Sequence, residues 1–337
     1  MEESMHNVSL TTGEIANLWT QYMNDSLAIC VLSHAIETSQ DTKVKEILEF
    51  ARSLSEAHIE KIQHFFNQED FPIPKGFSTK EDVNFNAPAL FTDTFMLVYM
   101  LIMTIHGLTG YAGAVSTSVR LDQRKFFNEC NVEALELHNR IVELMLQKGI
   151  YSKPPRINTP KQVDFVHSQS YLTGWFGDKR PLNAIEISGL SYNMQKTVVK
   201  VVLEIAFGQV CQTKELRKYF QRGKDICKKQ FDILSAIVSK EDLSSPRSWV
   251  SEVTDSTISP FSDKLMLLHT VIMVSAGVGY LGAALSVSQR RDLALKYTYL
   301  MADIGRYAED GAQLLIEKGW LEQPPLAEDR RKLASKD

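Results

Sequence analysis

Residues 148–155 read KGIYSKPP and residues 318–325 read KGWLEQPP, 170 positions apart. The match extends well beyond these phrases. With residue n laid over n + 170, Asp82-Val83 falls on Glu252-Val253, FTDTFML (91–97) on FSDKLML (261–267), Gly107 on Gly277 and Asp122 on Asp292. Upstream the offset becomes 172, which pairs Glu14 with Glu186, Leu18 with Leu190, Leu54 with Ile226 and Ile62 with Leu234. A two-residue length change in one loop explains the shift. The period is far longer than a solenoid unit, so the chain is a duplicated domain, and any fold proposed for one half must also suit the other.

Helix signals recur in register. Thr11 with Glu14 has the spacing of a capping box, and so has Asn183 with Glu186. Asp41 and Thr213 align as N-caps of a second helix, and Asp122 and Asp292 as caps of a fourth. Gly149 and Gly319 suit the left-handed stop of that helix, with Pro-Pro soon after. Apolar residues recur at three and four, as in Val44, Ile47, Ala51 and Leu54, and no strand-like alternation of any length occurs. Four long helices per unit follow: roughly 12–39, 42–67, 90–119 and 122–148, then 184–211, 214–239, 260–289 and 292–318.

Short links make the first and third connections antiparallel pairs. The second link, Asn67 to Leu90, holds Phe71-Pro72-Ile73-Pro74 and is too polar and proline-rich for a helix. It is long enough to travel the bundle, which is the crossover of a ferritin-like bundle. The expected fold is all-α: two tandem ferritin-like four-helix bundles at 1–155 and 183–337, joined by a linker at 156–182. Trp175-Phe176 in the linker are expected to seal the joint between bundles.

Charge narrows the partners. Lys and Arg number 37 against 41 Asp and Glu, a net charge of −4, which gives no pull toward nucleic acid. None of the four cysteines forms a C-x-x-C pair, which fits a reducing cytosol, and MEESMHNVSL lacks the basic and apolar regions of a signal peptide. Thr94–Val119 and Leu265–Gln289 carry no Asp, Glu, Lys or Arg. Either run exceeds the about 20 residues that span a bilayer, yet both hold Ser, Thr, Gly and His, as buried central helices of a bundle do. The expectation is burial within the bundle, not membrane insertion.

The phrases EIANLW (14–19), YLTGWFG (171–177), FSDKLMLLH (261–269), SQRRDLA (288–294), YAEDGA (307–312) and GWLEQPP (319–325) resemble a tandem ferritin-like family of endospore-forming bacteria, domain-of-unknown-function family 3231. The resemblance covers essentially the whole chain. It implies a tandem bundle in a cytosolic or spore-associated protein and carries no reaction.

A di-iron bundle needs Glu-x-x-His on two helices. The one literal example, Glu3…His6, lies in the polar N-terminal tail, so that site is absent. The first unit instead has a His on each helix: His34, His58, His106 and His138. At about 1.5 Å rise per residue, His58 and His106 each sit about 24 Å from the same end, His138 about 15 Å and His34 about 8 Å. His58, His106 and His138 are therefore the candidate metal ligands, with Asp25, Glu133 and Glu136 as nearby carboxylates and Fe, Mn or Zn as the metal. No metal is expected in the second unit, where Lys228, Lys229, Gln230 and Arg306 fall at mid-height and suit a scaffold or an anion pocket. The third helices carry a glycine stripe: Gly107, Gly110 and Gly113, then Gly277, Gly279 and Gly282. Gly costs about 1 kcal/mol each in a helix, so the stripe implies close helix approach or a cavity for an apolar ligand beside Tyr111 and Tyr280.

Three functional classes follow. The first is a non-catalytic helical protein that acts by binding or by assembly with protein partners or itself. The second is a metal-binding protein or oxidoreductase built on the first-unit histidines. The third is a carrier of an apolar ligand.

Overall fold

The computed structural model describes residues 8–174 and 179–335. The Glu3…His6 pair and Trp175-Phe176 lie outside these residues. The first unit comprises α1 (Thr12–Thr38), α2 (Thr42–Gln68), the single turn α3 (Thr79–Asp82), α4 (Asp93–Thr117) and α5 (Leu121–Gln147). The second comprises α6 (Ala184–Val210), α7 (Lys214–Ser239), α8 (Asp263–Val287) and α9 (Arg291–Glu317), with a short α10 (Arg330–Ala334). The chain is all-α in two similar halves, each a four-helix bundle with α1 packed along α2 and α4 along α5, or α6 along α7 and α8 along α9.

Local chemistry explains the helix ends. Thr11 and Glu14 form the capping box, as do Asn183 and Glu186. The second carboxylate oxygen of Glu14 accepts from the Val119 and Arg120 N–H groups at 2.9 and 2.7 Å, so the same residue fixes the α4–α5 turn. Burial alone would raise the Glu14 pKa, but the N–H groups of Arg120, Thr11 and Val119 and the Thr11 hydroxyl hold it below the usual range. Asp41 and Thr213 cap α2 and α7 as expected. Gly149 and Gly319 stop α5 and α9 at φ 66° and 65°.

Asp122 and Asp292 are not caps. Arg120 and Arg290 hold the cap positions without a side-chain cap bond. The two aspartates lie two residues further on, in the first turn, and spend their carboxylates on those arginines, at 2.6 and 2.9 Å. The α2–α4 link is also not wholly irregular, since Ser78 caps the single turn α3 within it.

The joint between units is made by the two long links. Val83 bridges Phe261 and Phe91 bridges Val253, both antiparallel. Under the n + 170 correspondence Val83 matches Val253 and Phe91 matches Phe261, so the two bridges are one contact made twice. The same exchange relates Thr92 Oγ1 donating to Glu252 at 2.6 Å with Ser262 Oγ donating to Asp82 at 2.6 Å. It also relates Asn84 N–H donating to Pro260 O with Thr254 N–H donating to Leu90 O. On the axis itself, Tyr99 faces its counterpart His269, with Oη 3.2 Å from Nε2. Reciprocal contacts of this kind define a two-fold interface, here between two halves of one chain.

Among the described residues, α4 and α8 are the two helices long and apolar enough to cross a membrane. Their N-terminal halves are buried at this joint. One continuous apolar core runs through the second unit and across the joint into the inner end of the first. At the outer end of the first unit a separate cluster forms around Leu18, Tyr22, Ile62, Phe66 and Phe127. The core of the first unit is thus interrupted, and the interruption is where the polar groups gather.

Candidate functional site

A cavity of about 400 Å³ fills that gap. Its outer rim lies between α1 and α4, at Asn17, Thr20, Gly110 and Ala114. Its body is apolar, lined by Leu27, Leu32, Leu54, Met100, Met103 and Phe127, and it reaches the joint at Tyr99, His269 and Met273.

Its polar end is built by three helices. Asp25 sits mid-helix in α1, His58 in α2, and Cys130 and Glu133 one turn apart on α5. His58 is 4% exposed and Cys130 0%. His58 Nε2 lies 2.8 Å from Glu133 Oε2, and Nδ1 lies 3.4 Å from Asp25 Oδ2 without forming a hydrogen bond. Gln21 Nε2 donates to Asp25 at 2.5 Å and lies 3.0 Å from Tyr111 Oη. Burial pulls the His58 pKa down, but Asp25 and Cys130 overcome it and push it up to about 11. Burial raises the Cys130 thiol, and His58 offsets this only in part. The group thus sets the His58 ring between the carboxyl groups of Asp25 and Glu133.

The three histidines expected to share a site do not converge. His58 joins Cys130 and Glu133, the one such group of potential metal ligands among the described residues. His106 lines the cavity, but its ring lies against Tyr280 of the second unit, 5.2 Å between centroids. His138 Nδ1 lies 3.1 Å from Thr104 Oγ1, and His34 Nε2 lies 3.0 Å from the Ala87 carbonyl. Burial, with Lys196 and Lys200 nearby, depresses His106 to about 3. Of the carboxylates, Asp25 and Glu133 reach the group, whereas Glu136 pairs with Arg140 on the surface. Cys130 was not anticipated. Its signal is Cys130 and Glu133 at i and i+3, which share a helix face.

The glycine stripe divides. Gly107, Gly110 and Tyr111 line the cavity, but Gly113, Gly277, Gly279, Gly282 and Tyr280 do not. Nor is the stripe a close-packed seam, because a Cβ at Gly110, Gly113 or Gly279 would meet nothing within 4 Å.

Among the described residues of the second unit, side chains fill the matching space. Ala28, Leu32 and Leu137 line the first cavity, and their counterparts are Lys200, Glu204 and Tyr307. Tyr307 Oη donates to Glu204 at 2.9 Å, and Lys200 Nζ donates to Gln230, the counterpart of His58, at 3.4 Å. Gly223 makes room, since a Cβ there would lie 2.1 Å from Tyr307 Oη and 2.5 Å from the Glu204 carboxyl carbon. Burial raises Glu204 well above the carboxylate range and lowers Lys200. Lys228, Lys229 and Arg306, expected at the centre, point outward, and only Gln230 is buried. The buried lysines are Lys196 and Lys200 on α6, and Lys196 lies over the Tyr192 and Tyr280 rings. The signal was present in KTVVKVVLE, where charges four apart interrupt an apolar run.

A family model described as a protein of unknown function (DUF3231) matches residues 2–163 and again residues 170–333. No protein of curated function matches the chain. Among solved structures, a crystal structure of a candidate spore coat protein from Bacillus halodurans C-125 is similar, with 15% identity and a TM-score of 0.43. The match covers 46% of this chain and 99% of that one.

Proposed function

The chain belongs to the DUF3231 family as a tandem repeat of its domain, and from that premise we propose that it is a non-catalytic binding protein whose first unit holds a small amphipathic molecule. One observation carries this reading: the cavity of about 400 Å³ in the first unit occupies the place that Lys200, Glu204 and Tyr307 fill in the second. The volume falls within the range of small-molecule sites, which are mostly apolar with a few convergent polar groups. Asp25 lines the polar end, with Glu133 behind His58, so acceptor oxygens gather there and the preferred head group is positively charged or donates hydrogen bonds. The second unit serves as a filled scaffold that braces the first through the two-fold joint.

Calorimetric titration of the full chain with octylamine and with octanoate tests this. The amine should bind saturably at one equivalent and more tightly than the acid. Ala28→Phe should abolish that binding while the chain keeps its helicity. Failure of both probes, or binding that survives Ala28→Phe, would contradict the proposal. The resemblance to a family of endospore formers supports a setting in the cytosol or the spore. A fluorescent fusion followed through sporulation would check it, and a signal confined to vegetative membranes would count against it.

A further inference from the structure

We infer that His58, Cys130 and Glu133 form a mononuclear site for a zinc-like divalent cation, with Asp25 as the group that orients His58. Three ligand types from two helices bring their donor atoms within 4.8 Å of one another. A thiolate, an imidazole and a carboxylate together suit zinc and cobalt better than calcium or magnesium, which take oxygen donors.

The surroundings point the same way. A metal-bound histidine usually turns its other ring nitrogen to a carboxylate. His58 does so: Nε2 faces Glu133, while Nδ1 is buried, has no hydrogen bond, and lies 3.4 Å from Asp25. Three protein ligands leave a fourth position for water or a small molecule. Here His58 and Cys130 both line the cavity, which gives such a molecule a route to the cation.

Tetrahedral zinc separates N and O ligands by about 3.3 Å. The His58–Glu133 edge is 2.8 Å, so a cation in place of the bridging proton requires about 0.5 Å of movement. The Glu133 side chain is 35% exposed and free to supply it.

The repeat supplies an internal contrast. The counterparts of Asp25, His58 and Cys130 are Thr197, Gln230 and Leu300. The second unit thus lacks the orienting group and two of the three ligands, and has only an acid, Asp303, in place of Glu133. The proposal stands on these side chains whether or not the cavity takes an organic ligand.

Titration of the metal-free full chain with cobalt(II) tests it. We expect one equivalent to bind with the near-ultraviolet sulfur-to-cobalt band of a thiolate ligand, and zinc to displace it. His58→Gln and Cys130→Leu introduce the residues the second unit already carries at these positions. Each should remain helical and bind at least 100-fold more weakly. Asp25→Asn should keep the band and weaken binding about 10- to 100-fold, as loss of an orienting partner does. Absence of the thiolate band in the parent chain would overturn the proposal, as would unchanged binding in His58→Gln. Should Cys130→Leu fail to fold, the band in the parent chain and its fate in His58→Gln decide the matter.

Discussion

The two bundles share helices, caps and a two-fold joint, yet one is hollow and the other is full. In the first unit the core breaks into two clusters around Asp25, His58 and Cys130. In the second, one core continues past Lys200, Glu204 and Tyr307. The difference teaches that a bundle can lose a cavity in two ways. It can grow apolar side chains into it, or, as here, use long polar ones that satisfy part of one another's hydrogen-bonding capacity. The second way leaves residual cost, visible in the unpartnered Glu204 Oε1 and Lys196 Nζ.

The largest effect expected from this contrast is at Gly223. Gly223→Ala gains about 1 kcal/mol of helix propensity. It also drives a Cβ into Tyr307 and Glu204, which are both buried and bonded to each other. We expect a net loss of about 2 to 3 kcal/mol in urea unfolding. The counterpart Ala51 already carries a Cβ beside the cavity, and Ala51→Gly should cost only about 1 kcal/mol. Equal costs at the two positions would erase the distinction between a filled and a hollow unit.

A smaller effect separates acid stability. Burial alone would raise the Asp292 pKa, but Arg290 and Lys179 hold it at about 2, against an ordinary value of 3.8. A depressed carboxylate stabilises the fold above its unfolded pKa, and that contribution is lost as pH falls through the folded value. About 2 kcal/mol should therefore be present above pH ~4 and disappear toward pH ~2. Asp292→Asn should remove most of it at neutral pH and flatten the acid limb of the stability curve. An unchanged acid limb would show that the Arg290 cluster contributes nothing.

The smallest effects have the opposite sign. Gly113 and Gly279 face open space, so Gly113→Ala and Gly279→Ala should each stabilise the chain by about 0.5 to 1 kcal/mol. Destabilisation at either would restore the reading of the stripe as a packing seam.

Much of this molecule was legible from the repeat. Matching signals in two copies, such as Thr11-Glu14 with Asn183-Glu186, placed every long helix to within about three residues. Asp122 and Asp292 misled because an aspartate near a helix start reads as a cap whether or not an arginine precedes it. The histidines misled for a geometric reason. Rise per residue gives height along a bundle but not direction around the helix. His58 points inward to Cys130, whereas His106, at a similar expected height, points across the joint to Tyr280. The charges at Lys196, Lys200 and Glu204 were visible in the sequence, but their burial depends on Gly223 of another helix, which local pattern does not reveal.

The most direct test of the contrast between the units is a crystal structure of the chain under xenon pressure. Dry apolar space takes up xenon, and a packed core does not. Xenon should appear in the first unit beside Met100, Met103 and Phe127, with none between Glu204, Tyr307 and Gly223. Xenon in both units, or in the second alone, would contradict the view that the first unit is hollow and the second filled.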